Sequence, residues 1–246
     1  MRPMPKTANV QKEGTASIEA MFKAGAHYGY SKTRRHPSVS SFIFGTKNKT
    51  DIINLEKTSI LLDAATEFIK GLGARGKVLL FVGTKPEARE AVAEAALALG
   101  MPYVVERWIG GTLSNFPEIK KRIAELEDYR KESATGGLEK YTKKERVVMA
   151  KKMEKLAVYY SGLIGLKKLP DALFIIDPRA EEIAATEARK SRVPIVALVN
   201  SDSNILGINY PILGNDAALP SIKFFTETIA KAYQTGQMTA AEEKEK

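Results

Sequence analysis

The fold is decided by the stretch ALFIIDPRAEEIAATEARKSRVPIVALV, residues 172–199. Its two ends, residues 172–177 and 194–199, are continuously apolar apart from the closing Asp177, instead of alternating with polar residues. Such runs are expected of strands in a parallel sheet that is covered by helices on both faces. Residues 179–192 between them have the pattern of a helix. A strand, a crossover helix and a second strand form a βαβ unit, so we predict an α/β fold with a parallel sheet sandwiched by helices.

The segments around this unit continue the alternation of strands and helices. KVLLFVG at residues 77–83 is another continuous apolar run and is expected to form a strand. Near the start of the chain, Thr15 or Ser17 is expected to cap a short first helix. Apolar spacing predicts helices at 15–24, 55–72, 86–99 and 215–235. Strands are predicted at 42–44, 50–54 and 101–106, and the strands at 42–44 and 50–54 are expected to form a hairpin. The predicted organisation is an α/β domain over 15–113 and 166–236, an insertion over 114–165, and flexible tails at 1–14 and 237–246.

Residues 114–165 depart from the alternation and predict an inserted antiparallel helical hairpin. Asn115 and Glu118, with Pro117 in the first turn, predict a capping box at the start of its first helix. Each helix has one narrow apolar stripe with coiled-coil spacing, formed by Phe116, Ile119, Ile123 and Leu126 in the first and by Met149, Met153, Leu156, Tyr160 and Leu163 in the second. Because neither stripe is wide, the two are expected to cover one another.

The composition excludes several kinds of site. The chain has 246 residues and no cysteine, which excludes disulfides, thiolate metal sites and cysteine nucleophiles. Its two histidines, His27 and His36, would need carboxylates to complete a zinc site, and no such cluster is seen. The first residues lack the apolar run of a secretory signal, and no stretch approaches the roughly 18 apolar residues of a transmembrane helix. A soluble, cytoplasmic protein is expected.

Positive charge is concentrated in two segments of the chain. The formal net charge is +9; residues 1–57 carry ten basic and four acidic residues, and residues 114–168 carry fourteen and eight. Residues 58–113 are balanced, and residues 169–246 are slightly acidic. So uneven a distribution favours a polyanionic partner such as a nucleic acid, with solvated surface charge as the alternative.

The strongest binding signal is the loop HYGYSKTRRHP at residues 27–37. It interleaves the cations Lys32, Arg34 and Arg35 with the rings of His27, Tyr28, Tyr30 and His36. Cations neutralise phosphates, and planar rings stack on unpaired bases, so this combination suits RNA. Lys47 and Lys49 in the following turn extend the charge. The alternative is a surface loop whose charge has no partner.

The best candidate for an enzyme site is GTKPE at residues 83–87. It follows a buried strand and opens a helix, whose N-terminus could bind phosphate with Lys85 adding charge. The surroundings contain neither G-x-x-x-x-G-K-[ST] nor G-x-G-x-x-G, so an ordinary structural turn is the competing interpretation. Asp177 and Asp202 follow two strands, where paired carboxylates could hold magnesium or simply start turns.

RWIGGTLSNF at residues 107–116 joins the α/β domain to the insertion. It holds the only tryptophan, a glycine pair and side chains that can cap a helix. One interpretation is a rigid joint with Trp108 buried. The other adds Arg107 and an exposed backbone as RNA contacts.

Together these segments resemble one family, the bacterial small-subunit ribosomal protein two. The matching segments, in the order of the family, are IEAMFKAGAHYG (18–29), TRRHP (33–37), FIFGTKNKTDIINLEKT (42–58), KVLLFVGTK (77–85), GMPYVVERWIGGTLSNF (100–116), LPDALFIIDPRAEEIAATEARKSRVPIVALVN (169–200), and YPILGNDAA with SIK (210–223). They cover about residues 15–235, and RWIGGTLSNF and PDALFIIDP are the most specific.

The resemblance implies a flavodoxin-like parallel sheet with an inserted coiled-coil hairpin and a structural, non-enzymatic role without a cofactor. It implies binding to small-subunit ribosomal RNA at the junction of head and body, and support of messenger-RNA engagement. The implied protein partners are neighbouring small-subunit proteins, including the large messenger-RNA-binding ribosomal protein one, and no membrane. The implied RNA contacts are Lys23, His27, Lys32, Arg34, Arg35, Lys47, Lys49 and Arg107, with Lys120, Lys121, Lys143, Lys144 and Lys151 on the hairpin.

The chain departs from the family pattern at two places. Tyr30 stands where the family commonly has a second histidine, and residues 200–204, NSDSN, stand where it commonly reads Asp-Thr-Asn with a later Asp-Pro. With one histidine fewer and no cysteine, no zinc is expected. Two alternatives to an RNA-binding structural protein stay open. One is a nucleotide-binding enzyme that uses the Gly83–Lys85 turn, and the other is an adaptor whose hairpin binds another protein.

Overall fold

The central element is a five-stranded parallel sheet. The computed structural model describes the backbone of residues 18–244 and the side chains of residues 18–241. The strands are β4 (Leu79–Val82), β5 (Tyr103–Val104), β6 (Ala172–Ile176), β7 (Ile195–Val199) and β8 (Tyr210–Leu213). Their order is β5-β4-β6-β7-β8 and each neighbouring pair is parallel. Counted from β4, this is the 2-1-3-4-5 order of flavodoxin-like folds, so the predicted fold class is confirmed.

The sheet separates two apolar cores. Within β6, Phe174 faces a core closed by three helices, whereas Leu173 and Ile175 face the core on the other side. The helices of the first core are α2 (Leu55–Ala74), α3 (Pro86–Leu99) and α7 (Leu219–Lys244). The second core is closed by α6 (Glu182–Lys190) and by residues from both ends of the insertion. Burial on both faces is why these strands lack polar alternation.

The last helix is longer than the sequence predicts. We predicted a helix ending at 235 and a flexible tail from 237, but α7 continues to Lys244. A glycine weakens a helix interior, yet Gly236 lies where a Cβ atom would come within 2.1 Å of the Lys70 carbonyl oxygen of α2. A Cβ at Gly73 of α2 would likewise lie 2.2 Å from the Tyr233 carbonyl oxygen. The two glycines therefore permit close backbone contact between α2 and α7.

A second, antiparallel sheet precedes the parallel sheet along the chain. Its strands are β1 (Tyr28–Ser31), β2 (Ile43–Lys47) and β3 (Thr50–Ile53), in the order β1-β3-β2, after the short helix α1 (Ile18–Lys23). The predicted β2–β3 hairpin is present, and its turn places Asn48 and Lys49 at positive φ. Strand β1 is not predicted because its residues are polar or aromatic without an apolar face. The predicted caps of α1 lie outside the described residues.

Two helices occupy the insertion, α4 (Phe116–Ala134) and α5 (Lys143–Tyr160). Ile119, Ile123 and Leu126 of α4 are buried in one cluster with Met153 and Tyr160 of α5. The Lys152 ammonium pairs with the Glu125 carboxylate between the helices. Residues of both apolar stripes thus belong to one buried cluster, and the antiparallel coiled-coil hairpin stays a prediction.

The capping box predicted at the start of α4 is wrong. The Asn115 side chain makes no cap hydrogen bond, because Asn115 is held in the preceding turn, where its backbone N–H donates to the Gly111 carbonyl at 2.8 Å. Glu118 pairs instead with Lys121 at 2.6 Å. A complete capping box occurs at the start of α5, between Thr142 and Glu145.

Two further element boundaries differ from the predictions. Helix α6 begins at Glu182 rather than 179, because the Asp177 carboxylate accepts the N–H groups of Arg179 and Ala180 in a turn. Strand β5 is shorter than 101–106. No described helix is both long enough and apolar enough to cross a membrane.

Candidate nucleic-acid interface

The basic loop lies on the carboxyl-terminal edge of the parallel sheet. Its backbone donates to the loop that follows β7, from Tyr30 N–H to the Ser201 hydroxyl at 2.8 Å and from His36 N–H to the Ser201 carbonyl at 2.9 Å. The Ser38 hydroxyl accepts the Ile205 N–H at 3.2 Å. These bonds fix the loop, and with it the small sheet, against the α/β domain.

The two arginines of the loop have different roles. Arg35 binds the buried Asp51 carboxylate with two N–H groups and the Thr46 hydroxyl with a third. This pairing holds the pKa of Asp51 below its usual range. Arg35 therefore joins β3 to the loop and has few donors left for RNA.

Arg34 is more exposed than Arg35. Its side chain is 52% exposed, donates once to Asp202 at 3.0 Å and lies over the Tyr30 ring, 4.4 Å from the centroid. A guanidinium has five N–H donors, so several of those of Arg34 can still bind phosphate. The structure thus separates two residues that look equivalent in the sequence.

His27 is a packing residue in this structure. Its ring is buried between Phe22 and Tyr28, with centroid distances of 4.4 and 4.1 Å. Burial lowers the pKa of His27, which disfavours a charged ring. Burial therefore disfavours this ring as a phosphate-binding cation, and the exposed stacking surfaces beside it belong to Phe22 and Tyr28.

The lysines predicted to contact RNA around the loop point to solvent. Lys23, Lys32, Lys47 and Lys49 are exposed. Arg107, beyond β5, is exposed as well. None of the five pairs with a carboxylate in the part of the chain that the structure describes. Their charge is free to attract a polyanion.

The predicted contacts of the insertion lie on α4 and α5, apart from the loop in sequence. The five are Lys120, Lys121, Lys143, Lys144 and Lys151, and all are exposed. Lys121 is paired with Glu118, whereas the other four form no ion pair with a described residue. The insertion therefore carries a second basic surface.

The Gly83–Lys85 turn is closed by buried ion pairs. The Lys85 ammonium lies 2.5 Å from the Asp177 carboxylate and 2.8 Å from that of Asp216, which also accepts the Asn200 amide at 2.8 Å. Burial lowers the pKa of Lys85, but the two carboxylates outweigh it and raise that pKa above its ordinary value. Lys85 is thus already neutralised by the protein.

The backbone of the same turn is also occupied. Glu181 accepts both the N–H of Thr84, at 2.9 Å, and its hydroxyl, at 2.5 Å. Burial raises the pKa of Glu181. A phosphate at this turn would compete with these internal partners. The geometry therefore favours the structural interpretation of residues 83–87 over a nucleotide site.

Asp177 and Asp202 do not form a paired carboxylate site. Asp177 pairs with Lys85, whereas Asp202 accepts Arg34 and, at 2.5 Å, Arg179. Within the described residues, no three histidine, cysteine, aspartate or glutamate side chains come together as a metal site. The two aspartates are partners of cations at the edge of the sheet.

The joint RWIGGTLSNF is built around a carboxylate that sequence reasoning missed. Glu187 of α6 accepts the N–H groups of Gly111 at 2.6 Å, Leu113 at 2.9 Å and Ser114 at 3.2 Å. Burial raises the pKa of Glu187, but these three donors outweigh it and hold the pKa below its ordinary value. Trp108 is buried, as expected of a rigid joint. Much of the backbone proposed to face RNA is instead used internally.

Comparison with known proteins agrees with this architecture. The family model described as Ribosomal protein S2 matches residues 21–236. The chain is also similar to a protein of Salinibacter ruber named small ribosomal subunit protein uS2, with 40% identity over 220 residues, which are 89% of this chain and 69% of that protein. The family match includes both sheets, the insertion and the basic loop.

Proposed function

Since this chain belongs to the ribosomal protein S2 family, whose members are structural proteins and not enzymes, we propose that it binds ribosomal RNA in the small subunit. The proposed position is the junction between the head and the body of the small subunit. As part of this ribonucleoprotein, the protein would be cytoplasmic. Its proposed protein partners are neighbouring small-subunit proteins, including the large messenger-RNA-binding ribosomal protein one. Through them it would support messenger-RNA engagement in translation.

The observation that carries the proposal is the set of unpaired cations around the basic loop. Lys23, Lys32, Lys47 and Lys49 project from α1, the loop and the β2–β3 turn and have no described acidic partner. The loop beneath them is fixed to the sheet through Ser201. Because the backbone of the loop is already fixed, little backbone entropy is lost when its cations bind phosphates. The exposed rings of Phe22 and Tyr28 lie beside them and can stack on unpaired bases.

The insertion offers a second RNA surface on the same chain. Its exposed lysines lie on the outside of α4 and α5, while Ile119, Ile123 and Leu126 of α4 and Met153 and Tyr160 of α5 are buried between the helices and the domain. A basic surface on a narrow helical pair suits the phosphate backbone of a structured RNA. We propose that the loop and the insertion both contact RNA.

Charge reversal on α5 tests the second surface. We expect Lys143→Glu, Lys144→Glu and Lys151→Glu together to weaken binding of the full chain to a small-subunit rRNA transcript by at least tenfold. The slope of log affinity against log salt should fall by about one for each phosphate that the variant no longer binds. Filter binding at several salt concentrations measures both quantities.

A matched variant controls for the change in net charge. Lys70→Glu, Lys190→Glu and Lys231→Glu reverse three exposed lysines on α2, α6 and α7, and should change affinity much less. If the α5 variant binds the transcript with the affinity and slope of this control, α5 does not contact RNA. Its basic face would then be assigned to a protein partner.

A further inference from the structure

An arginine-lined cleft opens beside the basic loop, on the carboxyl-terminal side of the parallel sheet. It has a volume of about 560 Å³ and lies between the loop at Arg34–Pro37, the start of α6 and the loop at 204–208. Four arginines line it, against the two carboxylates of Asp202 and Glu182. The cleft is thus a concave, positively charged site of a size that can hold one nucleotide.

Arg34 and Arg179 are held in place on one wall by a shared carboxylate. Each donates one N–H to the same Asp202 oxygen, Arg34 at 3.0 Å and Arg179 at 2.5 Å. Asp202 has a side chain only 4% exposed, whereas those of Arg34 and Arg179 are 52% and 55% exposed. One buried negative charge therefore orients two cations whose other donors remain available.

Arg189 carries a positive charge that is not paired with a described carboxylate of the cleft. It donates to the Ala185 carbonyl at 3.3 Å and to the Thr186 hydroxyl at 3.0 Å, and pairs with no described carboxylate. Its aliphatic part lies against Gly207, where an added Cβ would be 3.1 Å from the arginine Cδ. Gly207 also has φ +85°, so a glycine is needed both for the turn and for this approach.

The remaining charged groups do not cancel this excess. Arg35, the fourth arginine, is neutralised by Asp51 behind the cleft. Glu182 is exposed at the start of α6 and forms no ion pair with a described residue. Three arginines with free donors therefore face Glu182 and the shared Asp202. Apolar residues such as Pro178 and Ile208 complete the lining, where a ribose or a base can lie.

We propose that this cleft binds a phosphodiester of a single-stranded segment of ribosomal RNA, with Arg34, Arg179 and Arg189 as the phosphate ligands. The inference rests on the proposed RNA-binding function and adds two arginines to the predicted contact Arg34, namely Arg179, which precedes α6, and Arg189, which lies on α6. A single strand is favoured because a concave pocket admits one splayed nucleotide, whereas a duplex presents a convex surface. The adjacent Lys32 and Arg34 connect the cleft to the basic loop.

Replacing two arginines tests the cleft in the full chain. We expect Arg179→Gln with Arg189→Gln to weaken binding to a small-subunit rRNA transcript about tenfold and to lower the salt slope by about one. The control is Lys190→Gln with Lys223→Gln, which removes two exposed charges outside the cleft and should change affinity less than about twofold. Arg179→Lys with Arg189→Lys should restore the slope and only part of the affinity, because a lysine cannot bind phosphate bidentately.

The possible outcomes distinguish a failure of the cleft proposal from a failure of the proposed RNA-binding function. If the wild-type chain binds the transcript and the glutamine variant binds as the control does, the cleft is not an RNA site, although the proposed function stands. If the wild-type chain itself does not bind, the proposed function fails first. Thermal unfolding of each variant shows whether it is folded, and the lysine variant keeps the test decisive if the glutamine variant is not.

Discussion

Replacing Lys85 with methionine is expected to destabilise the protein by about 3 to 5 kcal/mol, the usual cost of removing one partner of a buried ion pair. The substitution would leave the Asp177 and Asp216 carboxylates facing each other, with side chains only 9% and 0% exposed. Urea unfolding of the wild-type and variant chains measures the difference. The result bears directly on function because the same lysine is the one that a nucleotide site at this turn would need.

The loss of stability caused by Lys85→Met should increase with pH. Burial and the Asp177 charge already raise the pKa of Asp216 in the wild type, and without the Lys85 ammonium that pKa rises further in the folded variant. A raised carboxylate pKa favours the folded state below the ordinary range of an aspartate, and this advantage is lost as the pH rises through the new value. The deficit of the variant is therefore expected to be larger at about pH 8 than at about pH 5.

An exposed lysine provides the comparison. Lys231→Met removes a lysine with a side chain 75% exposed, 3.7 Å from Glu227, and should change the free energy of unfolding by less than about 0.5 kcal/mol. A Lys85→Met chain as stable as the wild type would contradict the buried ion pairs and return Lys85 to the candidates for ligand binding.

Glu187→Ala is expected to destabilise the joint before the insertion by about 3 kcal/mol. The carboxylate accepts three backbone N–H groups of residues 111–114, one of them the buried N–H of Leu113, and a buried donor without a partner costs about 1 to 3 kcal/mol. Trp108 is the only tryptophan and belongs to the same joint. Its fluorescence should shift to the red in the variant, because the loosened joint admits water.

The loss in Glu187→Ala also depends on pH, and in the same direction as the loss in Lys85→Met. A glutamate with a lowered pKa contributes stability above its ordinary range, and this contribution is lost as the pH falls through the lowered value. The difference between wild type and Glu187→Ala should therefore shrink in acid. Glu94→Ala, at an exposed position on α3, is the control and should behave as wild type. Unchanged tryptophan emission in Glu187→Ala would show that the joint does not depend on this carboxylate.

The parallel sheet was predictable because its cause is local in the sequence. The runs at 172–177 and 194–199 are apolar at every position of the strand, which only a doubly covered sheet explains. Strands β1 and β8 were not predicted. YGYS of β1 has no apolar face, and YPIL of β8 is short and contains a proline, so their extended state comes from pairing with neighbours.

The candidate site was predictable only in part. A basic, aromatic loop is visible in the sequence, but Arg34 and Arg35 differ only through Asp51 and Asp202, which lie far from them along the chain. The pairs formed by Lys85, and by Glu187 with the joint, are likewise long-range and have no local signal. The cleft required Arg179 and Arg189, which the sequence places in an ordinary crossover helix and its preceding turn.

The central claim is tested most directly by sedimentation of tagged full-length protein in a bacterial lysate through sucrose gradients, with and without a high-salt wash. A small-subunit RNA-binding protein should migrate with the small subunit and be released in part by salt, because salt weakens phosphate contacts. A peak at the top of the gradient under every condition would contradict the proposed role in the ribosome.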